Sequence, residues 1–500
     1  MLKSDSRKFI LILAIAAILS TSGYVLWSRS FYQIGYPLDD SWIYQTYARN
    51  LSQFREWSFI PGEISGGSTG PFWVLFLTIG YWLRLDHHLW AFLLGTVVLF
   101  LLGVVGGAAV KSLYPQNKSA GLLAGLMLVF EWHLVWASVS GMETILAALL
   151  VTSTLVFLFK PEISAKDWFL IGFVVGVSIW VRPDSILLMG PVGFVLVFGS
   201  QSPLTKKFKH SVFVLLGLMI PVGLYLLFNQ IVSGSVWPNT FYAKQAEYAA
   251  HQNIPITTRY GQQLVLPLIG AGITLFPGFI FAFLNTIKAR NWALFAAFVW
   301  FFGYLAVFAW RLPVTYQHGR YIIPAMPIYF ILGSAGTFKW CFAHWHSEWL
   351  IFRVLSKVWS FSCVSVTILF GLLGAKAYAE DVAIIESEMV TTARWIHTNT
   401  DSNALIAAHD IGALGYFSER QIIDLAGLIS PDVIPFIRDE RQLAVYLDEK
   451  EADYLMTFPD WYPILISGSK LIFQTNGVYS PNLGGENMAV YEWESTNVSK

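Results

Sequence analysis

The chain predicts a polytopic α-helical membrane protein of about eleven transmembrane helices carrying a C-terminal extracytoplasmic α/β domain. Three observations carry that reading. Hydrophobic residues make up 55% of the 500 positions and charged residues 13%, with a mean hydropathy of +0.55. A water-soluble chain carries about 25% charged residues to solvate its surface. Apolar runs long enough to cross about 30 Å of hydrocarbon recur through the first three quarters of the sequence. The zero net charge is also unevenly spread: residues 1–375 hold 24 Lys+Arg and 13 Asp+Glu, whereas residues 376–500 hold 8 and 19. A basic membrane part, 1–375, is thus followed by an acidic tail, 376–500. The composition excludes disordered, collagen-like and disulfide-scaffold classes. The two cysteines, Cys341 and Cys363, lie in or beside apolar runs and say nothing about compartment.

The first apolar run, 9–27, follows Lys3, Arg7 and Lys8. It is long for a signal peptide and lacks a clear small-x-small cleavage site, so it reads as an uncleaved span with its N-terminus inside. A first outer loop, 30–88, follows. Further spans are expected near 89–110, 119–137, 143–159, 168–182, 185–199, 211–232, 263–287, 292–310, 321–339 and 358–375, with Pro183 splitting two short ones. The run 71–84 (PFWVLFLTIGYWLR) is apolar but short. With eleven spans, fifteen of the 24 basic residues of the membrane part lie inside, Lys206, Lys207 and Lys209 among them. A twelfth span at 71–84 would invert every later loop, against the positive-inside rule. It is therefore expected to lie at the outer interface, a depth that suits Trp73, Tyr81 and Trp82. Loops 30–70, 233–262 and 311–320 and the acidic tail then face outside. Lys244 is the one lysine of the membrane part on that side.

In the tail, 380–399 has helical periodicity. Strand-like runs follow at 404–410, 421–427 and 452–458, with a helical stretch at 437–450 and a closing strand at 487–493. Alternating helix and strand predict a partly parallel sheet.

The first outer loop holds the strongest chemical signal, GYPLDDSWIYQTYARNL. Asp39 and Asp40 are adjacent among Tyr36, Trp42, Tyr44 and Tyr47. Two neighbouring carboxylates do not ionise independently at low dielectric, which poises one as a base. The plainer reading is an Asp capping the helix that follows. The Gly-rich stretch at 61–71 permits close backbone approach to a ligand. Glu143 opens a helix on the outer side. Arg182 and Asp184 flank Pro183, where mutual pairing is the plain alternative. Lys244 and Arg320 are the outer cations suited to a phosphate, whereas Arg259 has no motif support. His409 and Asp410 end a strand of the tail, where α/β sheets place ligands. Glu131 and His133, inside an apolar run, are expected to make a buried polar contact.

The order of motifs resembles the GT-C membrane glycosyltransferases, the group that includes protein mannosyltransferases and arabinofuranosyltransferases, with the arabinofuranosyltransferase-like members nearest. After the first helix come the Asp pair, YARNL, PGE, a Gly/Ser/Thr stretch and P-hydrophobic-W. SGMET (140–144), VRPD (181–184), PNTFYAK (238–244), GRYIIPAMP (319–327) and HDIGALGYFSERQIIDLAG (409–427) follow in order. The resemblance implies an inverting transferase. It takes a sugar from a polyprenyl-phosphate donor and passes it to an acceptor hydroxyl on a glycan, lipid or protein. The reaction occurs at the outer face of a bacterial inner or plasma membrane and serves cell-envelope glycan or glycoconjugate synthesis. It makes an outer-loop Asp the base, with Asp39 favoured by its place in the motif, and Glu143, Arg182, Lys244, Arg320, His409 and Asp410 the substrate-binding set. No cofactor is required. A divalent cation is allowed, with Asp39, Asp40 and Glu143 able to hold one. Membrane lipids are expected partners and nucleic acid is not. The alternative class, a transporter or flippase for a lipid-linked glycan, would place charges along an intramembrane path and show inverted repeats. Here the charges gather at the outer face.

Overall fold

The computed structural model describes residues 2–199 and 202–494. The last residues of the tail, 495–500, lie outside them. α1 (Leu2–Phe31) opens the chain. In the first outer loop, α2 (Asp40–Phe54) and α3 (Pro71–Trp82) flank a small antiparallel ribbon, β1 (Ser58–Ile60) and β2 (Glu63–Ile64). α3 starts on Pro71, whose missing N–H would be unpaired at a first helical turn anyway. Its 12 residues reach only about 18 Å at 1.5 Å each, too short to span. It buries Trp73, Val74 and Leu77 and leaves Leu75, Phe76, Ile79 and Trp82 exposed, the two-faced pattern of an interfacial helix.

α4 (His87–Leu113) is a long span. α5 (Ala120–Phe130) and α6 (Trp132–Ser138) are bent by 59° at Glu131. The Glu131 carboxylate caps α6 by accepting from the Leu134 N–H at 3.1 Å, and its other oxygen meets His133 Nδ1 at 2.8 Å. The expected buried contact between these two residues is thus present. α7 (Thr144–Phe157), α8 (Ala165–Ile179) and α9 (Met189–Phe198) are short. α10 (Leu204–Ser233) packs tightly on α8: a Cβ on Gly172 would sit 2.0 Å from the Val214 carbonyl oxygen. Small residues of this kind let membrane helices approach closely. The second large outer segment holds α11 (Asn239–Glu247) and α12 (Ile256–Val265). α13 (Ala271–Ala289) and α14 (Trp292–Arg311) lead to a four-residue turn, α15 (Tyr316–Gly319), then to α16 (Met326–His344) and α17 (Leu350–Ile385).

Among the described residues seven helices are long and apolar enough to cross a membrane, and the bent pair α5–α6 makes an eighth. The other predicted spans, 143–159, 168–182 and 185–199, fall on α7, α8 and α9, which have 14, 15 and 10 residues. A helix needs about 20 residues to cross the hydrocarbon alone.

α17 runs unbroken past residue 375, and five π-helical residues, Glu386–Val390, join it to α18 (Thr391–Asn399). Next come β3 (Leu405–Ala408), α19 (Gly412–Phe417), β4 (Gln421–Asp424), α20 (Glu440–Glu449), β5 (Tyr454–Thr457), β6 (Lys470–Gln474), α21 (Tyr479–Asn482) and β7 (Ala489–Glu492). The sheet order is β4-β3-β5-β7-β6. β3 runs parallel to β4 and β5, whereas β7 runs antiparallel to β5 and β6. The expected partly parallel sheet is present. β6 went unread in the sequence, and β7 closes the chain without forming an edge of the sheet.

Candidate active site

Asp39 and Asp40 open α2 side by side and point to different partners. The Asp39 carboxylate accepts hydrogen bonds from the backbone N–H groups of Gly412 (2.6 Å) and Ala413 (2.8 Å), the first turn of α19. A Cβ on residue 412 would lie 2.0 Å from the Asp39 carbonyl oxygen, so the close approach needs glycine. Burial and the nearby Asp410 carboxylate push Asp39 up to about 8, against the two N–H donors. Asp40 instead meets Arg320 Nη2 at 2.6 Å and Lys244 Nζ at 3.9 Å. Burial alone would raise its pKa, but the two cations hold it at about 2.

Arg320 follows the turn α15 and is 5% exposed. Its Nη2 also donates to the Tyr321 hydroxyl at 2.9 Å, while its Nε and Nη1 are buried with no hydrogen-bond partner among the described residues. The Tyr321 ring lies 4.9 Å from the Arg320 guanidinium, 5.2 Å from Lys244 Nζ and 5.8 Å from the Arg182 guanidinium. Three cations therefore gather round one ring. Arg182 does pair with Asp184 (3.0 Å) and also reaches Glu143 Oε1 at 3.5 Å. Asp184 in turn accepts from the Tyr304 hydroxyl. Glu143 is 3% exposed, and its Oε2 has no partner among the described residues.

Two chambers meet at this cluster. The first, of about 430 Å³, is largely apolar, with Trp237, Phe241 and Phe308 in its walls and Glu143 and Arg182 among its polar groups. The Gly-rich stretch contributes Gly67 and Thr69 to its lining, and the Thr69 hydroxyl lies 2.8 Å from that of Tyr44. The second, of about 820 Å³, lies against the C-terminal domain and is lined by Asp39, Glu247, His409, Asp410, Trp461 and Tyr462, among others. Asp40, Lys244 and Arg320 line both. His409 Nε2 sits 3.3 Å from Glu247 Oε1, and its Nδ1 sits 2.8 Å from the Tyr462 hydroxyl. Burial alone would lower the His409 pKa, but Glu247 and the surrounding carboxylates raise it to about 8. Burial and the neighbouring carboxylates lift Asp410 to about 6, with His409 opposing.

All eight residues singled out in the sequence thus line one chamber or the other. Sequence reasoning missed Tyr321 and Glu247. Glu247 was readable: it lies three residues beyond Lys244 on one short helix, and that spacing shares a face. Arg259, left aside for want of a motif, donates from Nη1 to the carbonyl oxygens of Ala309 (2.9 Å) and Trp310 (3.3 Å) at the end of α14 and lines neither chamber.

Among the described residues one cluster, Asp86, His87 and His88, has metal-ligand spacing, its three ligand atoms lying within 4.8 Å of one another. It is consistent with a divalent cation that is not obligatory. Asp86 already caps α4 through the Leu89 N–H at 2.9 Å, and a helix N-terminus favours anions over cations. None of the three lines either chamber. At the chamber junction Asp40 is already compensated by two protein cations, a donor set that suits an anion.

The domain of unknown function DUF8728 matches residues 379–491. No curated protein matches the chain in sequence at a significant level. Solved structures do resemble it in fold. ArnT from Cupriavidus metallidurans, bound to undecaprenyl phosphate, aligns with a TM-score of 0.58 at 13% identity, covering 96% of this chain and 97% of that one. The oligosaccharyltransferase of Archaeoglobus fulgidus, in complex with Zn and sulfate, aligns with a TM-score of 0.63 at 11% identity over 96% and 72%. AglB from A. fulgidus, in complex with an inhibitory peptide and a dolichol-phosphate, gives 0.62 at 9% identity over 92% and 69%. At these identities the likeness is one of fold alone.

Proposed function

We propose that the protein is an inverting glycosyltransferase that moves a sugar from a polyprenyl-phosphate donor to an acceptor hydroxyl at the outer face of the membrane. One observation carries the reading. A buried arginine with two unpartnered N–H-bearing nitrogens stands beside a lysine where an apolar chamber meets a more polar one, with a carboxylate between them. A donor of this class has the same division: an apolar chain, a phosphate and a sugar. The undecaprenyl phosphate of ArnT and the dolichol-phosphate of AglB, proteins of similar fold, support the donor class.

In this reading the phosphate lies at Arg320 and Lys244, with its lipid toward the first chamber and the acceptor in the second. Drawing both cations onto the phosphate takes compensation away from Asp40, whose pKa then rises toward the ordinary carboxylate value and makes it a competent base. Asp40 takes the proton of the acceptor hydroxyl as its oxygen attacks the anomeric carbon. The bond from that carbon to the phosphate oxygen breaks, and the phosphate leaves with its charge on Arg320 and Lys244. A single displacement inverts the anomeric carbon. The motif order favours Asp39 as the base. The geometry favours Asp40, because both Asp39 oxygens are engaged by α19. Glu143, with its unpartnered oxygen in the first chamber, is placed to accept from a sugar hydroxyl, Arg182 braces Glu143, and His409 and Asp410 face the acceptor. A furanose fits the motif resemblance, and eleven spans with the sheet domain outside fit the charge distribution.

The test is transfer by the purified full chain from radiolabelled polyprenyl-phosphate sugars, pentofuranosyl and hexosyl, to glycan, lipid and peptide acceptors. Product configuration is read by NMR. Donor consumption with inverted product supports the reading. Movement of intact donor lipid across liposomes without transfer overturns it in favour of a flippase, and a retained configuration overturns the single displacement.

A further inference from the structure

Arg320 is held by backbone that L-residues seldom adopt. Gln317 (φ 53°), His318 (φ 57°) and Gly319 (φ 69°) are three successive left-handed residues, and two of them carry a Cβ. Such a conformation persists only where its surroundings impose it. The surroundings here are specific. His318 Nε2 meets Asp381 Oδ2 on α17 at 2.8 Å. The same carboxylate oxygen accepts from Trp136 Nε1 at 2.9 Å. The rings of Trp132 and Trp136 stand nearly edge-on to the imidazole, 5.3 and 5.1 Å away. These tryptophans are four residues apart on α6 and share a face. The bend at Glu131 ahead of that helix sets its direction. The chain then returns to right-handed backbone at Arg320, whose N–H donates to the Gln317 carbonyl at 3.2 Å. Neither His318 nor Asp381 lines a chamber, so neither is placed to touch substrate.

We infer that His318 and Asp381 are positioning residues: clamped by Trp132 and Trp136, their pair imposes the left-handed turn that aims Arg320 at the chamber junction. The inference rests on the reading that Arg320 holds the donor phosphate. The pair joins two elements distant in sequence, α17 and the turn before α16, to a side chain that neither contacts. A merely structural contact would stabilise the fold without setting the affinity for phosphate.

The experiment measures binding of undecaprenyl phosphate to the purified full chain by native mass spectrometry, alongside thermal unfolding and a cryo-EM structure of H318A. R320A is expected to weaken binding about 10- to 150-fold, the loss of a charge-assisted contact, and H318A and D381N about tenfold, its misalignment. H318A/R320A is expected to bind no more weakly than R320A. If H318A does not fold, D381N carries the test, because it leaves the turn's own residues in place. Wild-type binding by the folded H318A or D381N variant, with R320A impaired, overturns the positioning role and spares the phosphate reading. So does an additive loss in the double variant. Wild-type binding by R320A overturns the phosphate reading. The positioning role is then decided by the structure of H318A (or D381N if that variant is used): Arg320 still on Asp40 refutes it, and a displaced Arg320 supports it.

Discussion

At the scale of single residues the two aspartates divide their tasks through direction. Neighbours at a helix start diverge by about 100°, so one can face α19 and the other the chamber junction. Replacing Asp40 by Asn keeps its shape and removes its basicity, and transfer is expected to fall about 10²–10⁴-fold; it also takes the carboxylate from the buried Arg320, so the melting temperature is expected to fall as well. Asp39→Asn puts an amide N–H₂ where an oxygen accepts from a backbone N–H, leaving one of the two α19 donors unpartnered, a loss of about 1–3 kcal/mol. It is expected to lower the melting temperature more than the rate. An inactive, fully stable D39N beside an active D40N would reverse the roles. Lys244→Ala and Arg320→Ala are each expected to raise the donor KM about 10- to 150-fold, measured at saturating acceptor. The candidates were legible because each broke a pattern: paired carboxylates just beyond a span, and one lysine on the outer side. Their geometry was not legible, since periodicity says nothing of which neighbour turns inward. Tyr321 was hidden for the opposite reason. It is one of 22 tyrosines, and only its contacts with the cations mark it out.

At the scale of elements, the end of β3 and the start of α19 form the joint between the C-terminal domain and the membrane part. Four strands of that domain, β3, β4, β5 and β7, and the helices α18 and α20 were readable because each apolar run was bounded by turn residues. β6 escaped because its apolar run, Leu471 to Phe473, is only three residues long. Joining the two parts gathers protons. His409, raised to about 8, contributes fully below its free value of about 6.5, and the contribution is lost as pH rises through 8. Asp39 and Asp410, raised to about 8 and about 6, also hold protons more tightly in the folded state. Their effect has the same sense: stability falls as pH climbs from the free carboxyl value through those points. Hydrogen exchange of the 411–417 amides is therefore expected to be slower at pH 6 than at pH 8.5, intrinsic rates corrected. His409→Gln should flatten the upper part of that dependence. Protection that rises with pH would mean that the joint is held by groups other than these.

For the whole molecule, sidedness follows from geometry that does not depend on the number of spans. α1 has 30 residues and covers about 45 Å at 1.5 Å per residue, enough to cross the bilayer once. Just beyond its C-terminal end, Gln33 donates to Glu386 at 2.5 Å, at the joint between α17 and the C-terminal domain. The sheet domain therefore stands at the opposite end of α1 from Arg7 and Lys8. α4 agrees. Its first residue, His87, accepts from the Tyr36 hydroxyl at 2.9 Å on the side of the Asp pair, and Lys111 lies in its last turn at the far end. The spans on α7, α8 and α9 decided the count of eleven, yet none of them enters this argument. Which side is which is then an expectation from the positive-inside rule. A periplasmic phosphatase fused after Lys500, beyond the described residues, is expected to be active, and a cytoplasmic fluorescent reporter at the same place dark. A thiol introduced at Ser4 should be shielded from impermeant maleimide, whereas one introduced at Asp460 should react in intact cells. If both thiols react from the same side, α1 does not cross and the chambers do not face the space where the donor sugar is proposed to be used. If the two sides are exchanged, the architecture stands, but the acceptor must be sought in the cytoplasm.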